Sequence, residues 1–202
     1  MITSMCNSYK HTIVITNRHL VQGDFLKQLE KVTKLHPHAL ILREKDLTDD
    51  AYESLAKKVF DLCKREDITF FLHTKIEIAR KIGCQNIHLS IPVLKGLSET
   101  EKKALTEDFC EISISCHSME DVEIAMAGGA TQIILGTIFE TECKKGVLGK
   151  GVEFVREICQ KCPLPVYAIG GMNLQRLPLV IDAGAAGCCM MSGFMQTTKP
   201  LQ

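Results

Sequence analysis

Along the chain, apolar residues gather in short runs, separated by longer stretches in which they recur every three to four positions. Eight runs are rich in β-branched and aromatic side chains: HTIVIT (residues 11–16), ALILREK (39–45), TFFLHT (69–74), NIHLSI (86–91), CEISIS (110–115), TQIILGTIF (131–139), PVYAIGG (165–171) and GCCMMSG (187–193). The intervening stretches read as amphipathic helices. In DDAYESLAKKVFDLCKRED (49–67), Leu55, Val59 and Leu62 fall on one face, and the preceding Thr with its two aspartates offers an acidic helix entry. Strands alternating with helices imply parallel pairing through helical crossovers. With eight units, a single (β/α)8 barrel spanning residues 1–202 is the simplest closure, and a doubly wound open sheet is the alternative. The length is close to the lower limit of about 200 residues for such barrels. Only GFMQTTKPLQ follows Ser192, so the last barrel helix is expected to be short or missing. No internal repeat, low-complexity segment or linker interrupts the pattern.

Charge and composition narrow the function classes. The 24 basic and 24 acidic side chains cancel, which leaves no electrostatic basis for binding nucleic acid or an anionic membrane. Apolar residues make up 46% of the sequence, enough to fill a sizeable core. No window approaches the roughly 18 apolar residues of a membrane span, and MITSMCNSYKHTIVIT lacks an apolar signal core with a cleavage site. The ten cysteines lie mostly in apolar or helical surroundings and read as reduced thiols of a cytoplasmic protein. Cys159 and Cys162 in CQKC have metal-like spacing, but no second pair or histidine ladder accompanies them. No metal and no cofactor is expected.

The polar residues are concentrated where the apolar runs stop. In a barrel those strand ends form the face on which chemistry occurs. The loops after the last two strands commonly hold phosphate there, and Gly170, Gly171 and Ser192 are suited to it through close backbone approach and a hydroxyl. The same glycines equally allow tight turns. His117, in SISCHSMED, ends the fifth run with a side chain that titrates near neutral pH, which suits proton transfer or a capping role. In LREK, alternation puts Arg43 and Lys45 on one strand face and Glu44 on the other. Two cations on one face suit anion recognition, unless they are simply a solvated strand end. Lys144 and Lys145 should reach the same rim. His73 looks less promising, and His88, inside an apolar run, reads as a core residue.

At these motifs the sequence becomes recognisable. GTIFETECKKGVLGKG, followed by PVYAIGGMNLQRL and AGAAGCCMMSG, resembles the TenI family of thiazole tautomerases, which shares its barrel with thiamine phosphate synthase. The likeness runs from LREKD to MMSG and is strongest after Ser113, where SCHS and FETECKKG are specific to the TenI branch. The resemblance implies an isomerase of thiamine biosynthesis that converts a non-aromatic exocyclic carboxythiazole phosphate into its aromatic tautomer. His117 would then be the general acid/base. Gly170, Gly171, Met191 and Ser192 would hold the phosphate. Lys144, with Arg43 and Lys45, would bind the carboxylate or steady negative charge, and Ser115, Thr141 and Cys143 would line the pocket. Glu44 is a candidate second proton carrier, although its strand face argues against it. Gly146, Gly149 and Gly151 would let the loop after Phe139 close over the substrate. A homodimer remains open.

The sister enzyme couples a pyrimidine diphosphate to thiazole phosphate and needs Mg2+. The resemblance places an Asn-Asp pair at the end of its third strand and another Asp after its fourth. Here those positions carry His73, Thr74 and Val93, and Ile41 replaces a glutamine of the second strand. Both carboxylates are missing, which argues against coupling. A third reading is a non-catalytic protein that binds thiazole phosphate.

Overall fold

The computed structural model describes residues 9–141, 146 and 148–196. Eight parallel strands close into a barrel in chain order. They are β1 (Thr12–Ile15), β2 (Ala39–Leu42), β3 (Thr69–His73), β4 (Asn86–Ser90), β5 (Glu111–Cys116), β6 (Gln132–Gly136), β7 (Val166–Ile169) and β8 (Gly187–Met190). β8 returns to β1 with Thr12 opposite Cys188 and Ile13 opposite Cys189, which leaves no sheet edge open to another chain. Each apolar run holds one strand, and the open-sheet alternative is excluded.

The helices on the outside are α1 (Phe25–Thr33), α2 (Asp49–Arg65), α3 (Ile76–Ile82), α4 (Ile91–Gly96), α5 (Glu99–Asp108), α6 (Met119–Ala127), α7 (Gly151–Lys161), α8 (Leu177–Asp182) and α9 (Ser192–Met195). Their starts follow from local chemistry. Asp24, Thr48, Ser98 and Ser118 each accept a backbone N–H of the first turn, and Ser98 with Glu101 forms a reciprocal capping box. α2 buries Tyr52, Ala56, Val59, Leu62 and Cys63, the stripe expected of a helix lying on a sheet. α9 has only four residues. Phe194 and Met195 are nevertheless buried, and Gln28 on α1 donates to the Phe194 carbonyl at 2.6 Å. The short last unit is therefore anchored through its side chains.

Strand alternation divides the core in two. Ile13, Ile15, Ala39, Ile41, Phe71, Ile134, Tyr167 and Cys189 fill the barrel interior. Val14, Leu40, Leu42, Phe70, Leu72 and Ile133 point outward into the larger layer beneath the helices. Every strand but β5 stops short of the run that marks it, and at two of them the cause is visible. β2 ends at Leu42 because the Arg43 N–H donates to the Thr16 hydroxyl at 2.9 Å instead of continuing the ladder. β6 ends at Gly136, yet the chain still follows β7: Ile138 N–H donates to the Ile169 carbonyl at 2.9 Å and Phe139 N–H to that of Gly170 at 3.0 Å.

Candidate active site at the barrel mouth

All eight strands run the same way, so their C-terminal ends meet on one face. β2 and β3 are tied together just beneath it by Tyr52, whose hydroxyl donates to the Leu42 carbonyl at 2.6 Å and accepts from His73 N–H at 3.2 Å. Arg43, half-buried, and Lys45, exposed, leave the end of β2 close enough to His73 for their charges to act on it. Burial, reinforced by those two cations, lowers the His73 pKa to about 4. Thr74 follows with φ of 63°, a left-handed conformation unusual for a β-branched residue. Its hydroxyl donates back to the His73 carbonyl at 2.7 Å.

Beside His73 lies His88 on β4, the two rings 5.6 Å apart. His88 points into the barrel and is almost fully buried, and that burial lowers its pKa to about 3. Its Nδ1 and Nε2 each lie 2.9 Å from a serine hydroxyl of β5, Ser113 and Ser115 respectively. The expectation that His88 lies in the core is correct for its position, but its neighbours are polar. The pairing arises from register: His88 is opposite Ser113 and Ser90 is opposite Ser115.

One step beyond β5, His117 is exposed at the mouth. Its backbone N–H donates to Asp121 at 2.7 Å, while the same carboxylate oxygen lies 3.8 Å from Nδ1. Ser118 caps α6 next to it. Lys150, absent from the sequence reading, reaches back across the mouth and donates to the His117 carbonyl. Its ammonium also sits 4.6 Å from the Phe154 ring centre. No sequence signal marks Lys150, because the loop after β6 must fold before it meets β5.

Glu44 lies apart from this group. It is only 2% exposed, and it accepts from the Thr16 hydroxyl at 2.7 Å, from the Arg18 N–H at 3.0 Å and from the Arg18 guanidinium at 3.1 Å. Asp46 completes the clamp with Arg18 and His19, and Arg18 holds its carboxyl well below the usual range. Among the described residues every hydrogen bond of the Glu44 carboxylate is to the β1 side of the rim, so it serves that clamp.

Across the mouth, Gly170 and Gly171 follow β7 with φ of 101° and 59°. A Cβ on Gly170 would meet Thr137 Cγ2 at 2.5 Å, and one on Gly171 would meet the Glu140 carbonyl at 2.5 Å. The glycines thus let the β6 and β7 ends pack backbone to backbone. Arg176 spans them, donating to the Gly171 carbonyl and stacking 4.6 Å from the Phe139 ring centre. Met191 packs against the inner core, and Ser192 is exposed at the start of α9. Thr141 is half-buried. Cys143, Lys144 and Lys145 lie outside the described residues.

A magnesium ion between β3 and β4 would need carboxylate oxygens. These ends instead present His73, Thr74, Ser90 and Val93, with Arg43 and Lys45 adding positive charge nearby. Glu44 and Asp46 are already engaged by Arg18. Among the described residues no group of three His, Cys, Asp or Glu side chains is placed to hold a metal ion. The residues present do not fit the cation.

No helix among the described residues is long and apolar enough to cross a membrane. A thiamine-phosphate synthase of Coprothermobacter proteolyticus is 31% identical over 180 residues, 89% of this chain and 84% of that protein. One of Clostridium acetobutylicum is 29% identical over 195 residues, 95% of this chain and 89% of its own. The solved structure of a thiamine phosphate pyrophosphorylase from Pyrococcus furiosus superposes with a TM-score of 0.81 over 95% of this chain and 90% of that one, at 22% identity, a likeness of fold. Residues 12–194, from the first strand of the barrel to its last short helix, match the TMP-TENI family, described as thiamine monophosphate synthase, and the chain belongs to that family.

Proposed function

We propose that the chain is an enzyme of thiamine biosynthesis and, within that family, a metal-independent thiazole tautomerase. The observation that carries this reading is the composition of the mouth at β2–β4. Two neutral imidazoles and two cations occupy the place where a diphosphate-bound magnesium would need carboxylates. Such a site suits an anionic substrate taken without a metal.

His117 is the acid/base. Its exposed imidazole removes the proton from ring carbon C2 of the non-aromatic carboxythiazole phosphate, and the electron pair released closes the aromatic ring. The same imidazolium then returns a proton to the exocyclic carbon, so no proton is gained or lost overall. Arg43 and Lys45, with Lys144, balance the negative charge of the carboxylate and of the ionised intermediate. The amides around Gly170, Gly171, Met191 and Ser192 receive the phosphate. Ser115, Thr141 and Cys143 line the space between.

A second reading is magnesium-dependent synthesis of thiamine phosphate, and the names of the relatives favour it. One experiment separates the two. The ultraviolet change on aromatisation of the carboxythiazole phosphate tautomer is followed in EDTA for wild type and for His117→Asn. The tautomerase reading expects wild-type turnover to survive the chelator and to fall at least a hundredfold in the variant, the usual scale of a lost general acid/base. Absence of aromatisation, together with Mg2+-dependent formation of thiamine phosphate from the pyrimidine diphosphate and thiazole phosphate, would replace it with the synthase.

A further inference from the structure

The mechanism above makes no use of His88, although this imidazole is buried inside the barrel one layer below His117. We propose that His88 is a positioning residue, held in a single neutral tautomer by Ser113, that turns the Ser115 hydroxyl into a hydrogen-bond donor aimed at an anionic oxygen of the substrate. The inference rests on the substrate class proposed above and deepens it.

The argument is one of hydrogen-bond accounting. Ser113, His88 and Ser115 form a linear set, with Nδ1 and Nε2 each 2.9 Å from a hydroxyl. A neutral imidazole offers one N–H and one lone pair, so one serine donates to it and the other accepts from it. Ser113 is fully buried, and its hydroxyl has no other partner among the described residues. If Nδ1 carried the proton, Ser113 would accept it and its own hydroxyl hydrogen would be buried without an acceptor, a cost of about 1–3 kcal/mol. The opposite arrangement satisfies both buried groups: Ser113 donates to Nδ1 and Nε2–H donates to the Ser115 oxygen. The hydrogen of the half-buried Ser115 then has no acceptor among the described residues.

That hydrogen is placed to meet a ligand. Ser113 and Ser115 share one face of β5 and His117 follows the end of that strand, so Ser115 lies between the buried Ser113 and the mouth. Ser113 is buried, Ser115 half-buried and His117 exposed, in order of approach to the mouth. Arg43 and Lys45 act on His73, which stands against the His88 ring, so positive charge lies near the same level. A hydroxyl donor beside two cations suits a carboxylate or phosphate oxygen.

A serine 2.9 Å from a histidine is also the geometry of an activated nucleophile. Here, however, the orienting group is a serine hydroxyl where such sites use a carboxylate, and hydrogen-bond accounting gives Nε2 the proton that a base would have to lack.

The test has one part that does not depend on turnover. Long-range 1H–15N correlation of histidine-labelled protein at pH 7 should show His88 protonated at Nε2 and bare at Nδ1. In Ser113→Ala, which lies too deep to touch a ligand, that single tautomer should be lost while the barrel still unfolds cooperatively. Binding of the aromatic carboxythiazole phosphate, measured by calorimetry, should weaken roughly tenfold in Ser115→Ala and severalfold in Ser113→Ala. Ser115→Thr, which keeps the hydroxyl, should recover most of the affinity. A protonated Nδ1, a charged ring, unchanged affinity in Ser115→Ala or no binding by wild type would each overturn the proposal. A wild type that binds and obeys this pattern but does not aromatise its substrate would uphold it while removing the tautomerase reading.

Discussion

At the scale of single residues, the ends of β2 and β5 show how surroundings assign a protic side chain its work. Glu44 and His117 both lie just past the end of a strand. The Glu44 carboxylate is enclosed by the Thr16 hydroxyl, the Arg18 amide and the Arg18 guanidinium, whereas the His117 ring is exposed at the mouth. Glu44→Ala would leave a hydroxyl and a backbone N–H unpaired beneath the rim, and we expect a loss of stability on the order of 2–3 kcal/mol, read from the urea midpoint. Glu44→Gln, which keeps an acceptor, should lose less and retain kcat within a few-fold. A folded Glu44→Gln protein with turnover as low as that of His117→Asn would instead make Glu44 the second proton carrier. Alternation along LREK was enough to set Glu44 apart from Arg43 and Lys45. The identity of its partners was not legible, because Thr16 and Arg18 belong to another strand and loop.

At the scale of elements, the junction of the β6 and β7 ends depends on having no side chain at Gly170 and Gly171. Gly171→Ala adds a methyl 2.5 Å from the Glu140 carbonyl at a φ of 59°. The left-handed conformation alone costs an alanine about 1–2 kcal/mol, and the clash must be relieved by moving the loop that carries Thr141. We expect a lower thermal midpoint and weaker binding of the aromatic carboxythiazole phosphate, both measurable on the same preparation. Affinity unchanged in the variant would separate the phosphate site from this junction. The glycine-bearing strand ends were visible in AIGGM and MMSG. That they make room for a neighbouring backbone was not, since it follows from the parallel pairing of β6 with β7. For the same reason the apolar runs located all eight strands but overran the ends of all but β5; at β2 and β6 side-chain and loop contacts replace the ladder.

At the scale of the whole molecule, the barrel interior stores neutral imidazole. His73 and His88 are held at about 4 and about 3, below the ordinary value of 6.5, chiefly by burial. Below pH 6.5 the unfolded chain takes up protons that the folded barrel refuses. Stability is therefore flat above that pH and declines as pH falls toward the folded values. Between pH 6.5 and 5 the buried His88 contributes a loss of about 2 kcal/mol, and the half-buried His73, screened by solvent, a smaller one. Urea midpoints across this interval should fall steadily, and His88→Gln should make the decline shallower. A midpoint independent of pH there would mean that the imidazoles are solvated. The sequence by itself narrowed the fold to a closed barrel or an open doubly wound sheet, because eight apolar runs divided by amphipathic helices have few ways to bury both faces of a parallel sheet. It also determined which side chains reach the mouth of the barrel, because the mouth is where the runs end. Tertiary structure alone decided which of those side chains meet. Ser113 and His88 are separated by 25 residues and the crossover through α4 and α5. Only strand register, fixed by closure of the whole barrel, sets that histidine against its two serines.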